Sequence, residues 1–485
     1  DWPMAYQWAS AVVASDLSHF RALIVLSRVN YAWRNYHESL GNALTANNVS
    51  PGAPQAVMQI MRCQNQLGDF YTSISAFESL VTRENLPWEI PFELGVAYAG
   101  LDKNEEAMTA LRLALHPQHR PPEVLRELAK ALLDTNDDTR FEAFMREFAG
   151  DIARDADASK LVAMHELRRS DVEACAKRLR HCIELQLAQG YARNQVPWPV
   201  PEPRIRHDVE QLSLLARRGK LDAEGQSALA TLTPYCLVND TQRVHAPEGA
   251  AGESLRRALA VTPYVPDTPF QGKALGDNDY AAIEARYLAG EIVVIDNFLS
   301  TEALLALRAY SEEATVWKSY NPGGYVGALL DSGYAPRVLL AIADEMRSAM
   351  PRAIGKLPLL QAWGFKYDQR MQGINMHADF ARVNVNFWIT PQAGCADDTR
   401  GGMVIYDTPV PKSWTFFDYN NDPGKLHTYV RVHGVQSQRV PYRENRCVVF
   451  DSSLIHVTDE LHFKPGYENR RVNVTLLFGR ARGFG

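Results

Sequence analysis

Apolar residues recur at steps of three and four over about the first two hundred residues of this chain, whereas after Pro358 they fall into short β-branched runs. One element type cannot satisfy both patterns, because a helix repeats its faces every 3.6 residues and a strand every two. The chain therefore holds a helical part followed by a sheet, and at 485 residues it exceeds one ordinary core. Pro197, Pro199, Pro201 and Pro203 stand at alternate positions between the two, where a helix cannot continue. This predicts a helical domain over 1–198, a connection with additional helices over 199–285, and a strand-rich domain over 286–485.

Within the helical part, Pro91 to Pro117 carries Leu94-Gly95, Tyr98, Ala107, Ala110, Ala114 and the closing Pro117, with weaker echoes in Gln55–Leu80 and Leu161–Ile183. These small and aromatic positions resemble a tetratricopeptide repeat, in which paired helices approach through Ala and Gly. The resemblance implies an all-α solenoid; an irregular helical domain is the alternative. His207 to Leu221 reads as one further amphipathic helix.

In the strand-rich part, Glu291–Phe298 reads as a buried strand, and Ser300-Thr301-Glu302 opens a helix with a capping serine. A helix over 336–349 follows, then strands over 361–367, 374–378, 383–389, 403–406, 428–432, 446–450 and 471–478. Such a series predicts a sandwich or barrel with helices packed outside.

The chemistry gathers on that sheet. His377 and Asp379 are separated by one residue, so on an extended strand their side chains share a face and can converge on one ion. His456 closes the run Cys447–Ile455 and is the preferred third ligand over His427, His433 and His462. Two imidazoles and a carboxylate on one side of an octahedral ion suit non-haem Fe(II). In the last strand, Arg471, Asn473 and Thr475 share one face and Val472, Val474 and Leu476 the other. A buried Arg there needs a partner, and a ligand carboxylate is the economical one. Asn384, Asn386 and Trp388 share a face of the neighbouring strand, which with Asn473 makes an amide-rich cavity or a structural network. Trp363, Phe365 and Trp388 read as core.

The order of H-x-D, a Gly401-Gly402 strand, a strand with His456, and Arg471-x-x-x-Thr475 resembles the Fe(II)/2-oxoglutarate oxygenases of prolyl-hydroxylase type over about residues 286–485. The resemblance implies a double-stranded β-helix (jelly-roll) with flanking helices, and thus a multidomain α + β protein. It assigns His377, Asp379 and His456 to the metal. It assigns Arg471, with Thr475, to the far carboxylate of 2-oxoglutarate, and Tyr367 to a position facing that co-substrate; Arg470 competes for the anchor, and Asn386 and Asn473 are counted with the co-substrate residues. Halogenases of that family lack the carboxylate, so Asp379 favours hydroxylation, with desaturation or cyclisation depending on substrate placement. Fe(II), 2-oxoglutarate and O2 are the implied cofactors. The first expectation for the substrate is a side chain on a peptide, protein or carrier. The second is a free small molecule oxidised in biosynthesis, and the third a non-catalytic scaffold with a decayed oxygenase domain.

Composition narrows the partners. A formal charge of −6, with 46% hydrophobic and 22% charged residues, offers no basic footprint for nucleic acid or an anionic membrane. No apolar run approaches the roughly 20 residues that span a bilayer. Cys63, Cys175, Cys182, Cys236, Cys395 and Cys447 are scattered, which reads as free thiols in a reducing, cytoplasmic setting. The first residue is Asp1, so a start upstream of it is expected. A homodimer through the helical domain is a further expectation.

Overall fold

The computed structural model describes residues 1–190, 200–237, 249–321, 325–367, 373–411, 414, 416–420 and 422–480. Pro197 and Pro199 of the proline run lie outside the described residues. Packing divides the chain into a first unit built on Asp1–Glu147 and a second on Phe148–Val410 and Tyr419–Arg480.

Helices of the first unit come in sequential pairs: Phe20–Ala32 with Tyr36–Val49, Pro54–Gln66 with Phe70–Glu78, Glu89–Gly100 with Asn104–Leu113, and Pro122–Thr135 with Asp138–Glu147. Small residues set their spacing. A Cβ on Gly95 would lie 2.5 Å from the Leu111 side chain, and Ala107, Ala110 and Ala114 are buried. Turn chemistry closes the pairs: Gly68 takes φ +74° and Asp69 caps the next helix by accepting from the Thr72 amide. These are tetratricopeptide-like helical hairpins.

The helical hairpin Ala156–Arg168/Val172–Ala188 packs within the second unit, which begins at Phe148. The reason is polar docking: Lys160 Nζ lies 2.8 Å from Asp331, Ser170 Oγ donates to Asp344 at 2.8 Å, and Arg347 donates to the Leu167 carbonyl. The expected connection is also part of this unit. Its helices Glu202–Arg217, Ala223–Leu232 and Ala250–Ala260 share a core around Ile205, Leu212, Leu232 and Leu259. Arg204 pins them by donating to the Lys318 carbonyl at 2.7 Å.

Ten strands are described: β1 (Val293–Ile295), β2 (Ser319–Tyr320), β3 (Val326–Leu329), β4 (Leu359–Tyr367), β5 (Ala381–Trp388), β6 (Met403–Pro409), β7 (Ser437–Val440), β8 (Cys447–Asp451), β9 (Leu454–Thr458) and β10 (Arg471–Arg480). They form an antiparallel seven-stranded sheet in the order β1-β8-β5-β10-β4-β3-β2 and a three-stranded sheet in the order β7-β6-β9. Tyr367, Trp388 and Phe450 of the larger sheet meet Met403, Ile405 and Val440 of the smaller in one buried cluster, so the two sheets face each other. Behind the larger sheet lies helix Thr301–Glu313, whose Arg308 donates to the Ile389 carbonyl at 2.8 Å. Helix Arg337–Ala349 occupies the expected 336–349. No helix among the described residues is long and apolar enough to cross a membrane.

Three local expectations are corrected. Residues 428–432 are helical, within Pro423–Val432, because Asp422 accepts from the Lys425 amide and Pro423 presets the first turn. Residues 374–378 are not a strand; only His377 makes a bridge, to His456. Its neighbours bond elsewhere, Ala378 to the Tyr419 carbonyl and Asp379 to that of Ser452, so no ladder propagates. The run 447–455 is not one strand closing at His456. Asp451 accepts from both the amide and hydroxyl of Ser453, at 2.9 and 2.7 Å, and this turn carries the chain from β8 in one sheet to β9 in the other.

On the outer face of β4, a Cβ on Gly364 would lie 2.8 Å from both Trp317 and Tyr334. Gly364→Ala is expected to lower stability by about 1–3 kcal/mol in urea unfolding. Gly150→Ala, with nothing within 4 Å of the added methyl, should leave the midpoint unchanged or higher.

Candidate active site

His377 and Asp379 lie on the irregular segment that the β9 bridge holds in place, and His456 lies on β9. Asp379 Oδ1 is 3.8 Å from His377 Nε2, and its Oδ2 is 3.4 Å from His456 Nε2. The three ligand-type atoms fall within 4.8 Å of one another. The other ring nitrogens fix the imidazoles: His377 Nδ1 is 2.8 Å from the Asn375 carbonyl and His456 Nδ1 2.9 Å from that of Leu454. A carbonyl only accepts, so each Nδ1 carries a proton and each Nε2 is the nitrogen turned inward to ligate. Burial, then the neighbouring His456, pushes the His377 pKa down to about 4, which leaves it neutral at ordinary pH. Burial opposes charge on Asp379, but the two histidines and the Asn384 amide, which donates to Oδ2 at 2.7 Å, outweigh it and hold the pKa below the usual value. Two imidazoles and a carboxylate converging from one side form a facial ligand set with open positions opposite.

A narrow cavity of about 30 Å3 runs from these residues to Arg471. The register of β10 builds its floor: Arg471, Asn473 and Thr475 stand opposite Tyr367, Phe365 and Trp363 of β4, and Asn473 and Thr475 stand opposite Trp388 and Asn386 of β5. Arg471 is 2% exposed, and burial lowers its pKa. Its Nε donates to the Gly401 carbonyl at 2.7 Å and its Nη2 to that of Gly402 at 3.1 Å. The guanidinium lies 5.2 Å from the Tyr367 ring centre and 5.5 Å from that of Trp388. Its third nitrogen, Nη1, is buried with no hydrogen-bond partner. The cradle requires both glycines. Gly401 has φ +78°, and a Cβ on Gly402 would sit 2.0 Å from the Val440 carbonyl.

Thr475 Oγ1 accepts from the amides of Asn386 and Asn473, at 3.0 and 3.1 Å, so its own O–H is left to point into the cavity. The Asn386 Oδ1 is buried without a partner, whereas the Asn473 Oδ1 accepts from Trp388 Nε1 at 2.8 Å. Tyr367 lies buried beneath the guanidinium, and burial raises its phenol pKa.

The structure thus brings His377, Asp379 and His456 together at one end, and Arg471, Thr475, Tyr367, Asn386 and Asn473 around the other. Arg470 projects away and pairs with Glu210 at 2.8 Å. His427 and His433 belong to the Pro423–Val432 helix and its end, and His462 lies beside Glu460. Several lining residues escaped the sequence reading. Thr458 stands two residues beyond His456 on β9, so strand alternation alone could have found it. Trp363 and Phe365, read as core, line the cavity; an aromatic at alternating positions looks the same in either role.

No protein-family model matches this chain, and no curated protein matches it. Similar solved structures include YrrB, described as a TPR protein with an unusual peptide-binding site (12% identity over 37% of this chain and 92% of that one, TM-score 0.31). They also include SnoK, a non-haem α-ketoglutarate-dependent carbocyclase from nogalamycin biosynthesis (12% identity, 43% and 87% covered, TM-score 0.31). The epimerase SnoN of the same biosynthesis is a third (12% identity, 42% and 83% covered, TM-score 0.29). At this identity and TM-score the likenesses decide nothing about function, which rests on the geometry of the site.

The depressed His377 pKa has a consequence for the metal-free chain. Unfolding returns this imidazole to its ordinary value near 6.5, so between about pH 6.5 and 4 the unfolded state binds the extra proton. Stability contributed by neutral His377 is therefore full above pH 6.5 and is lost as pH falls towards 4. In chelator, the urea midpoint should drop over that window, and His377→Gln should flatten the drop; an equal slope in the variant contradicts the assignment.

Proposed function

We propose that the second unit is a double-stranded β-helix oxygenase that uses Fe(II), 2-oxoglutarate and O2 to hydroxylate an unactivated C–H bond. The observation that carries this reading is one cavity with a His-Asp-His set at one end and an unpaired guanidinium nitrogen at the other. The residues fit both groups. The two Nε2 lone pairs and the Asp379 carboxylate suit a divalent iron with room for further ligands. Arg471 Nη1 is a buried donor without an acceptor, which a carboxylate supplies, and the Thr475 hydroxyl lining the same cavity can donate to it. Arg471 and Thr475 stand four residues apart on β10, about 13 Å of strand at 3.3 Å per residue. The long Arg side chain covers much of that distance, so that one carboxylate can meet both donors and the rest of a five-carbon 2-oxo diacid can run on toward the His-Asp-His set. The narrowness of the cavity means that side chains along its wall must give way on binding.

Bound together, the iron and the 2-oxo acid supply, from O2, the oxidising power for C–H cleavage, with release of succinate and CO2. This chain's residues orient that chemistry. Asn384 fixes the Asp379 carboxylate, the Asn375 and Leu454 carbonyls hold the imidazole tautomers, and the buried wall excludes water. Asp379 as a third protein ligand favours hydroxylation. The helical hairpins of the first unit support a target borne on a peptide, protein or carrier. All six cysteines are unpaired, which fits a reducing compartment.

Anaerobic addition of Fe(II) and 2-oxoglutarate tests the reading. The wild type should develop the weak visible charge-transfer band of an iron-chelated 2-oxo acid, and His456→Ala should abolish it. Arg471→Ala should shift half-saturation by 2-oxoglutarate upward about 10- to 100-fold, as expected for loss of a charged hydrogen bond. A folded, iron-loaded wild type with no band would sink the proposal.

A further inference from the structure

One wall of the cavity is built from aromatic rings that neither the metal ligands nor the carboxylate anchor requires. Trp363 and Phe365 occupy the β4 positions opposite Thr475 and Asn473, and line the cavity with His377 and Asp379. The rings continue outward as a row. Ring centres are 5.1 Å apart from Tyr325 to Phe365, 5.7 Å from Phe365 to Trp363, and 6.4 Å from Trp363 to Phe380. Phe380 follows Asp379 directly and is 37% exposed. At the other end of the row Tyr325 meets Tyr367, with 5.1 Å between ring centres, and the Arg471 guanidinium lies 5.2 Å from that Tyr367 ring. The row therefore begins near the Arg471 anchor, passes the triad at Phe365 and Trp363, and ends in solvent.

Its chemistry is one-sided. Among the described residues lining the cavity, the only Asp, Glu, Lys or Arg side chains are Asp379 and Arg471. Asp379 is held by Asn384 and the histidines, and Arg471 faces the far end. An anionic substrate group at this wall would lose its hydration without gaining a counter-charge, and a cationic one would find only Asp379, whose carboxylate is already engaged by Asn384 and the histidines. The rings are inclined to one another by 80°, 42° and 62° along the row, so they offer both faces and edges to an incoming ring.

We propose that Tyr325, Phe365, Trp363 and Phe380 form the substrate-selecting wall, which receives an uncharged aromatic group and sets a C–H bond next to that ring before the triad. This rests on the oxygenase reading for its chemistry, but binding at the wall is separable from it.

The test uses the full chain in chelator, titrated with N-acetyl-phenylalaninamide, N-acetyl-leucinamide and N-acetyl-lysinamide and followed by ligand-observed NMR. The phenylalanine probe should bind about tenfold or more tighter than the other two, and Trp363→Ala should weaken it about tenfold. Phe380→Ala, at a half-open position, should weaken it in the same direction and serves if Trp363→Ala does not fold. The lysine or leucine probe binding as tightly as the phenylalanine probe would overturn the proposal, as would phenylalanine binding that neither substitution changes. The wild-type Fe(II)–2-oxoglutarate band separates the two claims: a band without aromatic binding overturns only the wall. Aromatic binding lost in Trp363→Ala, with no band, supports the wall and removes the oxygenase chemistry.

Discussion

The guanidinium of Arg471 is held almost out of water, over two aromatic rings and against two glycine carbonyls, with one nitrogen left over. A buried cation of this kind is tolerated only where its surroundings are built to satisfy it. The surroundings explain much of the second unit. β10 must be central and flanked on both sides, so that its inner face carries Arg471, Asn473 and Thr475 while Val472, Val474 and Leu476 pack outward. Gly401 and Gly402 must bring a loop of the smaller sheet within reach, which only residues without a Cβ allow here.

The other end of the cavity depends on a change of sheet. β8 belongs to the larger sheet and β9 to the smaller, and the Asp451–Ser453 turn between them places His456 across from His377. The segment bearing His377 and Asp379 is then fixed by a reciprocal pair of backbone bonds between His377 and His456 and by bonds from Ala378 to Tyr419 and from Asp379 to Ser452, instead of by a continuous ladder. That arrangement lets two ligands one residue apart converge, which a regular strand would also permit, and it leaves the adjacent Phe380 free to project toward solvent.

Legibility in the sequence followed the strength of the local pattern. The alternation of β10 and the H-x-D spacing could be read directly, because each places particular side chains on one face whatever surrounds them. The choice of Arg471 over Arg470 needed the structure, since adjacent residues on a strand face opposite ways and the sequence does not say which way is inward. The helix at Pro423–Val432 was misread as a strand because its β-branched residues outweighed the Asp422-Pro423 start signal. The packing partners of the last helical hairpin were illegible for a different reason. The hairpin Ala156–Ala188 has repeat-like periodicity, but its partners, Asp331 and Asp344, lie far along the chain, and periodicity carries no information about them.

The most direct test of the account is a crystal structure of the chain grown anaerobically with Fe(II) and 2-oxoglutarate. The account predicts iron bound by His377 Nε2, Asp379 and His456 Nε2, with the 2-oxo acid end on the metal and the far carboxylate on Arg471 Nη1 and Thr475 Oγ1. Iron at another site, or a bound dicarboxylate that leaves Arg471 Nη1 unpaired, would contradict it.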